Sequence, residues 1–208
     1  MAYFPFFMDI EGQNCLIVGG GKVALRKAEK LLPYSPVIHV VSPGFAEEFF
    51  SMSTLHLIEG QFRPEMLENM SFVISATDNA ELNHRVSVLC RAQNIPVNVV
   101  DDKEACSFIF PALVKRGALS VGISTGGASP SAAIYLKERI NALLPDRLDE
   151  ILSFLEEARF DVKNAFPAEE ERSAVFKELF ALCMQQEAPL TSEGFRQFLL
   201  ERRQAHNG

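Results

Sequence analysis

A glycine-rich segment near the start of the chain has the residue types that bind a dinucleotide phosphate. Gly19-Gly20-Gly21-Lys22-Val23-Ala24 matches the pattern G-x-G-x-x-A, directly after an apolar strand and at the start of a helical pattern. Gly19 permits a tight turn, Gly21 lets the backbone approach a pyrophosphate, and Ala24 lets the helix pack closely on the sheet. The helix N-terminus would offer free N–H groups and a partial positive charge to the phosphates. We therefore favour dinucleotide binding over a glycine turn without a ligand.

The acidic residue that usually binds the adenine ribose is missing from this pattern. It should follow roughly 20 residues after the glycines, at the end of the second strand. That stretch reads Val41-Ser42-Pro43-Gly44, and the first acid after it is Glu47. The usual rule therefore does not decide between NAD and NADP.

Two adjacent carboxylates, Asp101 and Asp102, follow the apolar residues 97–100. If that segment is a parallel strand, they lie at its carboxyl end, where open α/β sheets bind ligands. A carboxylate there could act as a general base or bind a divalent metal. A turn pair that only caps the strand is an equally good interpretation. Because adjacent side chains of an extended chain point to opposite sides, we expect only one to face the cleft.

A second glycine-rich segment, Thr125-Gly126-Gly127-Ala128-Ser129-Pro130, precedes another helix. By the same dipole argument it could hold a carboxylate or a phosphate, although a flexible strand-to-helix link is the simpler interpretation of this segment alone. Lys115, Arg116, Lys137 and Arg139 flank it and could supply positive charge. The four histidines show no ligand spacing, so we expect no preformed metal site.

The elements that must position these residues alternate between strands and helices. Short apolar segments predict strands at residues 14–18, 37–41, 54–58, 72–76 and 96–100, and helical patterns cover residues 22–32 and about 80–93. Asp78 and Glu81 have the spacing of a capping box at the start of the second helix. This alternation predicts an α/β fold with a doubly wound, Rossmann-like parallel sheet.

The second half of the chain has a different pattern. Residues 108–114 and 119–125 predict two strands that are joined by a turn at Lys115-Arg116-Gly117. A helix to about residue 144 follows, with Ser129 as its N-cap. Three apolar stripes separated by prolines predict that the remainder is helical.

Composition and charge exclude several classes of protein. The 208 residues carry 20 Lys and Arg against 27 Asp and Glu, and this net charge of −7 argues against nucleic-acid binding. The apolar runs are far shorter than the ~20 residues that cross a bilayer, and Asp9 and Glu11 interrupt any signal sequence, so we expect no membrane interaction. Four widely spaced cysteines predict a cytoplasmic protein with reduced thiols.

Six strings occur in order along about residues 3–145 with the spacing of one known family. They are Tyr3-Phe4-Pro5-Phe6-Phe7, Gly19-Gly20-Gly21-Lys22-Val23-Ala24-Leu25-Arg26-Lys27, Ala76-Thr77-Asp78 with Leu82-Asn83, Asn98-Val99-Val100-Asp101-Asp102, Ser107-Phe108-Ile109-Phe110-Pro111-Ala112 and Ile123-Ser124-Thr125-Gly126-Gly127-Ala128-Ser129-Pro130. Together they resemble the siroheme-synthase dehydrogenase/ferrochelatase family, also called precorrin-2 dehydrogenase. The set is more specific than any single string in it.

This resemblance implies a chain in three parts. A Rossmann-like NAD-binding domain covers residues 1–113, a small α+β dimerisation segment covers 114–145, and an all-helical C-terminal domain covers 146–208. It also implies a homodimer that uses NAD to oxidise precorrin-2 to sirohydrochlorin; many members then insert Fe²⁺, as a substrate, to give siroheme. Two alternatives stay open. One is a dehydrogenase that leaves iron insertion to a separate chelatase, and the other is a non-catalytic nucleotide-sensing module.

The resemblance also implies roles for individual residues. Asp101 would be the acid/base of dehydrogenation and of chelation. The residues that bind NAD would be Gly19 of the turn, Gly21, Lys22, Val23, Pro43 and Gly44. Thr77 and Asp78 would lie on the nicotinamide side. Thr125 corresponds to a serine that is phosphorylated in some members. Because the substrate is a polycarboxylate, we expect its carboxylates to be bound by Arg116, Thr125, Gly126, Gly127 and Ser129.

Overall fold

The structure, a computed structural model, describes residues 3–206 and divides into two compact units. Residues 6–110 form the first unit, and residues 111–206 with residues 3–5 form the second. The three-part division at residues 113 and 145 stays a prediction. The first and last residues of that division, 1–2 and 207–208, lie outside the described residues.

The first unit is built on a parallel five-stranded sheet. Its strands are β1 (Asn14–Val18), β2 (Val37–Ser42), β3 (His56–Glu59), β4 (Phe72–Ser75) and β5 (Val97–Val99), in the spatial order β3-β2-β1-β4-β5. The chain runs outward from β1 to β3 and then returns to place β4 on the other edge of β1. Because the direction of winding reverses between β1 and β4, the crevice beyond their carboxyl ends is where such a sheet binds ligands.

The strands of this sheet are apolar because both of its faces are covered. All four residues of β4 are buried, as are four of the five residues of β1. On one face the helix α1 (Lys22–Leu31) buries Ala24 and Ala28 against the sheet. On the other face the helix α2 (Ala80–Ala92) buries Val86 and Cys90. The strands therefore read as continuous apolar runs rather than alternating ones.

The predicted α/β fold is confirmed, with corrections at the ends of its helices. Helix α1 ends at Leu31 because the chain then enters a short 3-10 helix, Leu32–Tyr34, whose proline lacks a backbone donor. Helix α2 is capped by Asn79, whose Oδ1 accepts the Leu82 N–H at 3.0 Å, so the predicted capping box that starts at Asp78 is wrong by one residue. The Asn79 N–H itself donates to the Thr77 hydroxyl at 3.2 Å, which replaces the glutamate of a capping box.

The second unit begins with an antiparallel hairpin and a helix. Strands β6 (Ala112–Arg116) and β7 (Leu119–Ile123) pair directly, and helix α3 (Pro130–Leu143) follows. The hairpin is confirmed, but its turn lies at Gly117-Ala118, where Gly117 has a φ of +50°. Lys115 and Arg116 therefore lie in β6 rather than in the turn. The strand starts at residue 112 because Pro111 has no N–H to donate to a ladder.

The rest of the second unit is helical, as the apolar stripes predict. Its helices are α4 (Leu148–Ala165), α5 (Glu169–Gln185) and α6 (Ser192–His206). Their shared core includes Val162, Leu179 and Phe198. Within the part of the chain that the structure describes, no helix combines the length and the apolar character needed to span a membrane.

Candidate functional site

The first glycine of the turn after β1 is fixed by its neighbours in the sheet. Gly19 has a φ of +119° and donates its N–H to the Val41 carbonyl at 2.9 Å. A Cβ on this residue would lie 2.4 Å from the carbonyl oxygen of Ala76, just beyond β4. Both the backbone conformation and the lack of space therefore demand glycine here.

The second glycine has a structural role that the sequence pattern does not indicate. A Cβ on Gly20 would lie 2.2 Å from the Gly44 carbonyl oxygen, and the Gly20 carbonyl accepts the Ala46 N–H at 2.7 Å. The turn after β1 is thus packed against the loop after β2. Gly20 occupies a variable position of the pattern, so only the fold reveals its importance.

The third glycine opens onto free space at the start of α1. Gly21 is the N-cap, with φ −85° and ψ 179°, and a Cβ on it would meet no heavy atom within 4 Å. No side chain caps the helix, and its first turn holds no acidic residue. Lys22 and Val23 begin the helix, so their N–H groups lie in the first turn, where the helix offers no carbonyl partner. This arrangement fits an anion such as a pyrophosphate.

The loop after β2 lies beside this helix start. Pro43 and Gly44 are exposed, a Cβ on Gly44 would be unobstructed, and the Gly44 N–H donates weakly to the Ser42 hydroxyl at 3.4 Å. Glu59, the last residue of β3, pairs with Ser42 and so places a carboxylate beside the end of β2. Reading about 20 residues past the glycines misses Glu59, because only the pairing of β2 with β3 brings it to this edge.

A network of hydrogen bonds fixes the loop between β4 and α2. The buried Asn83 Oδ1 accepts the hydroxyls of Ser75 at 2.8 Å and Thr77 at 2.7 Å, and its Nδ2 donates to the Thr77 carbonyl at 3.0 Å. Thr77 is therefore held rigidly, and Asp78 beside it is exposed. Asn83 belongs to one of the strings that carry the family resemblance, but only the fold shows its positioning role, because this depends on the loop folding back onto α2.

The paired aspartates after β5 have different environments. Strand β5 ends at Val99, and Asp101 lies beyond it, exposed and with a φ of +60°. The expectation that the pair lies on an extended chain is therefore wrong: the chain has already turned. The Asp102 carboxylate accepts the N–H groups of Glu104 at 3.1 Å and Ala105 at 3.0 Å, so it caps a turn. Asp102 therefore has the structural role of the two interpretations, and a functional role of Asp101 stays a prediction.

Below this loop lies a group of buried polar atoms. The Cys106 sulfur accepts the Val99 N–H at 3.1 Å and lies 3.2 Å from the Asp102 carbonyl oxygen. The Asn98 amide donates to that sulfur at 3.4 Å and to the Phe108 carbonyl at 3.0 Å. Together these bonds attach the start and the end of the loop to β5.

The predicted residues of the first unit thus gather at one edge of its sheet. They follow the carboxyl ends of β1, β2, β4 and β5, and they are Gly19, Gly21, Lys22, Val23, Pro43, Gly44, Thr77, Asp78 and Asp101. Whether each contacts a cofactor or substrate stays a prediction.

The predicted substrate residues belong to the second unit. The Thr125 hydroxyl bonds both the N–H (3.1 Å) and the carbonyl (3.0 Å) of Ser129. The Ser129 hydroxyl in turn caps α3 by accepting the Ala132 N–H at 3.1 Å. Gly126 and Gly127 have φ values of +64° and +91°, and the half-buried Arg116 ends β6. Both hydroxyls thus have structural partners, and substrate contact by this segment stays a prediction.

The expectation of no preformed metal site concerns the cysteines, the histidines and the acidic residues. All four cysteines are free and buried, and burial raises the pKa of Cys15 and raises that of Cys90 to about 11. Among residues 3–206, no three His, Cys, Asp or Glu side chains lie close enough together to hold a metal ion.

Comparisons with known proteins agree with this geometry. Residues 6–112 match the model of a family described as "Putative NAD(P)-binding". The chain is 42% identical over 179 residues to a siroheme synthase of Nitrosomonas eutropha, covering 83% of this chain and 37% of that protein. It is 36% identical over 222 residues to a siroheme synthase of Methylobacillus flagellatus, covering 100% of this chain and 46% of that protein. The chain thus spans less than half the length of these relatives.

A solved structure is similar to this chain over nearly its whole length. The structure of SirC, precorrin-2 dehydrogenase, superposes with a TM-score of 0.73 at 24% identity, covering 97% of this chain and 100% of that one. The two proteins therefore share their fold, including the helical part that follows the parallel sheet.

Proposed function

The chain belongs to the NAD(P)-binding family whose model matches its residues 6–112, and we propose that it oxidises precorrin-2 to sirohydrochlorin with NAD as the hydride acceptor. The siroheme synthases that it resembles support this class of substrate. The strings that resemble the precorrin-2 dehydrogenase family lie largely in the same unit as the nucleotide turn.

One observation carries the proposal: an uncapped helix start and an exposed carboxylate follow strands of the same parallel sheet. Gly21, Lys22 and Val23 would hold the pyrophosphate at the start of α1, where no side chain competes for the N–H groups. Pro43 with Gly44 would contact the adenosine side, and Thr77 with Asp78 the nicotinamide side. Asp101 follows β5, the strand next to β4.

The reaction removes a hydride and a proton from precorrin-2. NAD, when bound, supplies the hydride acceptor. The Asp101 carboxylate would take up the proton, since it is exposed at the edge of the crevice. Asp102 is a poorer base because its oxygen already accepts two backbone N–H groups.

We propose Fe²⁺ insertion as a second reaction at the same carboxylate. Sirohydrochlorin offers four nitrogens to the metal, so the protein needs no resident iron ligands of its own. Two pyrrole N–H protons leave as Fe²⁺ enters the macrocycle, and Asp101 would pass them to water. Iron is thus a substrate and siroheme the product.

The proposal also includes a homodimer that acts in the cytoplasm. Helix α3 buries only Ala133 within the described chain and exposes Ile134, Tyr135 and Leu143. A second copy of the chain would cover these side chains. The four free, buried cysteines are in keeping with a reducing compartment.

The experiment is an anaerobic incubation of the purified protein with precorrin-2 and NAD, followed by NADH fluorescence and by the absorption of sirohydrochlorin. The two products should appear in equal amounts. Asp101→Asn should lower kcat by about 100-fold or more, because a general base is lost, with NAD affinity unchanged. The matched variant Asp102→Asn keeps the oxygen that caps the turn and should stay within about threefold of the wild-type kcat.

Adding Fe²⁺ and sirohydrochlorin to the purified protein tests the second reaction. Siroheme should then form faster than it forms spontaneously without the protein. NAD binding without any oxidation of precorrin-2 would instead identify a nucleotide-sensing module. Oxidation without accelerated iron insertion would leave a dehydrogenase that depends on a separate chelatase. Full activity of Asp101→Asn would remove this residue from the mechanism.

A further inference from the structure

Lys27 is a half-buried cation of α1. Its Nζ lies 3.2 Å from Asn98 Oδ1 of β5 and 4.1 Å from the centre of the Phe110 ring, above the ring face. Most lysines leave their ammonium group in water because its desolvation is costly. Here one amide oxygen and one aromatic ring replace part of that water, so a specific interaction keeps the side chain in place.

The contact of Lys27 continues into the loop that carries Asp101. Asn98 is 5% exposed, accepts from Lys27 and donates to the Cys106 sulfur. Cys106 in turn lies within hydrogen-bond distance of the Asp102 carbonyl, next to Asp101. An unbroken series of polar contacts therefore joins the nucleotide-binding helix to the backbone beside the proposed base.

The loop needs such support because its backbone conformation is unfavourable. Asp101 has a φ of +60°, a region that L-residues rarely adopt without help from surrounding structure. Asp102 caps only the turn after it, through Glu104 and Ala105. The contacts of Cys106 and Asn98 fix the base of the loop on β5.

We propose that Lys27, acting through Asn98 and Cys106, positions the Asp101 loop and places a positive charge near the Asp101 carboxylate, so that it governs turnover rather than NAD affinity. This inference rests on the proposed function, because it assigns Asp101 to proton uptake. Lys27 is a positioning residue in this scheme and touches neither substrate nor cofactor.

The charges around Lys27 give the scheme a pH dependence. Burial, together with the nearby Lys30 and Arg26 of α1, lowers the pKa of Lys27 to about 8, and Cys106 and Asp101 oppose the shift. Asn98 and Phe110, which also face the ammonium group, are uncharged. Lys27 therefore loses its charge as the pH rises through about 8, and the attraction to Asp101 disappears with it.

The test compares three variants with the wild-type protein in the precorrin-2 assay from pH 6.5 to 9.5, a range of roughly 1.5 units on each side of the Lys27 pKa of about 8. Lys27→Met should lower kcat roughly 10-fold to 100-fold while the KM for NAD changes less than about twofold, because a displaced base slows turnover without disturbing Gly21. Lys27→Arg should restore most of kcat and should also shift the alkaline fall of the wild-type profile to higher pH, since arginine keeps its charge. Lys30→Met, on the exposed side of the same helix, is the matched control and should retain the wild-type kcat at the acidic end of the range. Its alkaline fall should move to higher pH, because a neighbouring cation that lowers the Lys27 pKa is removed.

Amide hydrogen exchange gives a readout that does not depend on activity. Exchange over residues 101–106 should accelerate in Lys27→Met and not in Lys30→Met, with the exchange of β1 unchanged in both. A wild-type protein that does not oxidise precorrin-2 contradicts the proposed function and this inference together. A wild-type protein that turns over, with a Lys27→Met variant that keeps its kcat and its pH profile, overturns the inference alone.

If Lys27→Met does not fold, two substitutions of Cys106 still test the inference. Cys106→Ser replaces the thiol by a hydroxyl that can make the same hydrogen bonds, and Cys106→Ala removes the contact with the loop. The inference requires kcat to fall more in the alanine variant than in the serine variant, at unchanged KM for NAD. Equal kcat in these two variants overturns it.

Discussion

The three consecutive glycines after β1 are glycines for different physical reasons. Gly19 combines a φ of +119° with a carbonyl oxygen 2.4 Å from where a Cβ would stand, and Gly20 has a similar obstruction from Gly44. Gly21 has neither constraint, since its backbone suits any residue and the space in front of it is open. Fold stability therefore accounts for the first two glycines, and in the proposed function ligand approach would account for the third.

This contrast predicts opposite effects for two alanine substitutions. Gly19→Ala should lower the free energy of unfolding by about 2–4 kcal/mol, because it adds both backbone strain and a steric clash. Gly21→Ala should leave that free energy within about 0.5 kcal/mol but should weaken NAD binding roughly tenfold, because its Cβ occupies the side from which the phosphates approach. Urea unfolding and an NAD titration measure the two effects. Unchanged NAD affinity in Gly21→Ala would place the pyrophosphate elsewhere.

Some site residues can be recognised from the sequence and others only from the fold. Gly19 and Gly21 lie at fixed positions of a local pattern, so their spacing is enough to identify them. Asn83 and Lys27 act through partners 6 and 71 positions away in the sequence, at Thr77 and Asn98. Both residues occur in strings that carry the family resemblance, but those strings do not show which partners the side chains contact.

The starts of the first three helices differ in a way that bears on function. Helices α2 and α3 are capped by the side chains of Asn79 and Ser129, whereas α1 has only Gly21 and no side-chain cap. Capping satisfies the N–H groups that an anion would otherwise bind. The start of α1 is therefore the better anion site of the three, in keeping with the proposed position of the pyrophosphate.

The corrected cap of α2 leads to a direct comparison of neighbouring residues. Asn79→Ala should lower the free energy of unfolding by about 1 kcal/mol, because the Leu82 N–H loses its acceptor. Asp78→Ala should change it by less than about 0.5 kcal/mol, since that side chain is exposed and caps nothing. Thermal or urea unfolding of the two variants measures the difference. The reverse order of effects would restore the capping box that begins at Asp78.

The order of elements was predictable, whereas their ends depended on contacts over long distances. The alternation of apolar runs with helical patterns predicts β1 at its observed bounds. The hairpin turn was predicted too early, at Lys115, because the sequence does not show that Gly117 provides the positive φ next to Asp149 of α4. The cap of α2 was also misplaced, because Thr77 supplies the contact that the pattern assigns to Glu81.

Charge is distributed unevenly over a chain whose net charge is −7. Helix α1 carries four cations, Lys22, Arg26, Lys27 and Lys30, against the single acid Glu29. A cationic helix that begins at the proposed phosphate site would attract anionic ligands toward that edge of the sheet, despite the acidity of the whole chain. The net charge therefore argues against nucleic acid as a general partner without arguing against an anionic nucleotide or a polycarboxylate.

The second unit presents a helix that one chain leaves largely uncovered. Only Ala133 of α3 is buried, and the exposed fractions of Leu136 and Leu143 are 45% and 78%. These two leucines are seven residues apart and so share one side of the helix. A 14-residue helix gains most of its stability from packing, so such a surface favours a permanent partner. In the proposed homodimer that partner is the same surface of a second copy, or a surface next to it.

Replacing these leucines tests the proposed homodimer. The double variant Leu136→Asp with Leu143→Asp should convert a wild-type dimer into a monomer, because two charges would have to be buried without partners. Asn141→Asp adds one charge at an exposed polar position of the same helix and serves as the control that stays dimeric. Light scattering after gel filtration measures the mass of each protein. A monomeric wild-type protein would contradict the homodimer, and a dimeric double variant would move its interface away from this side of α3.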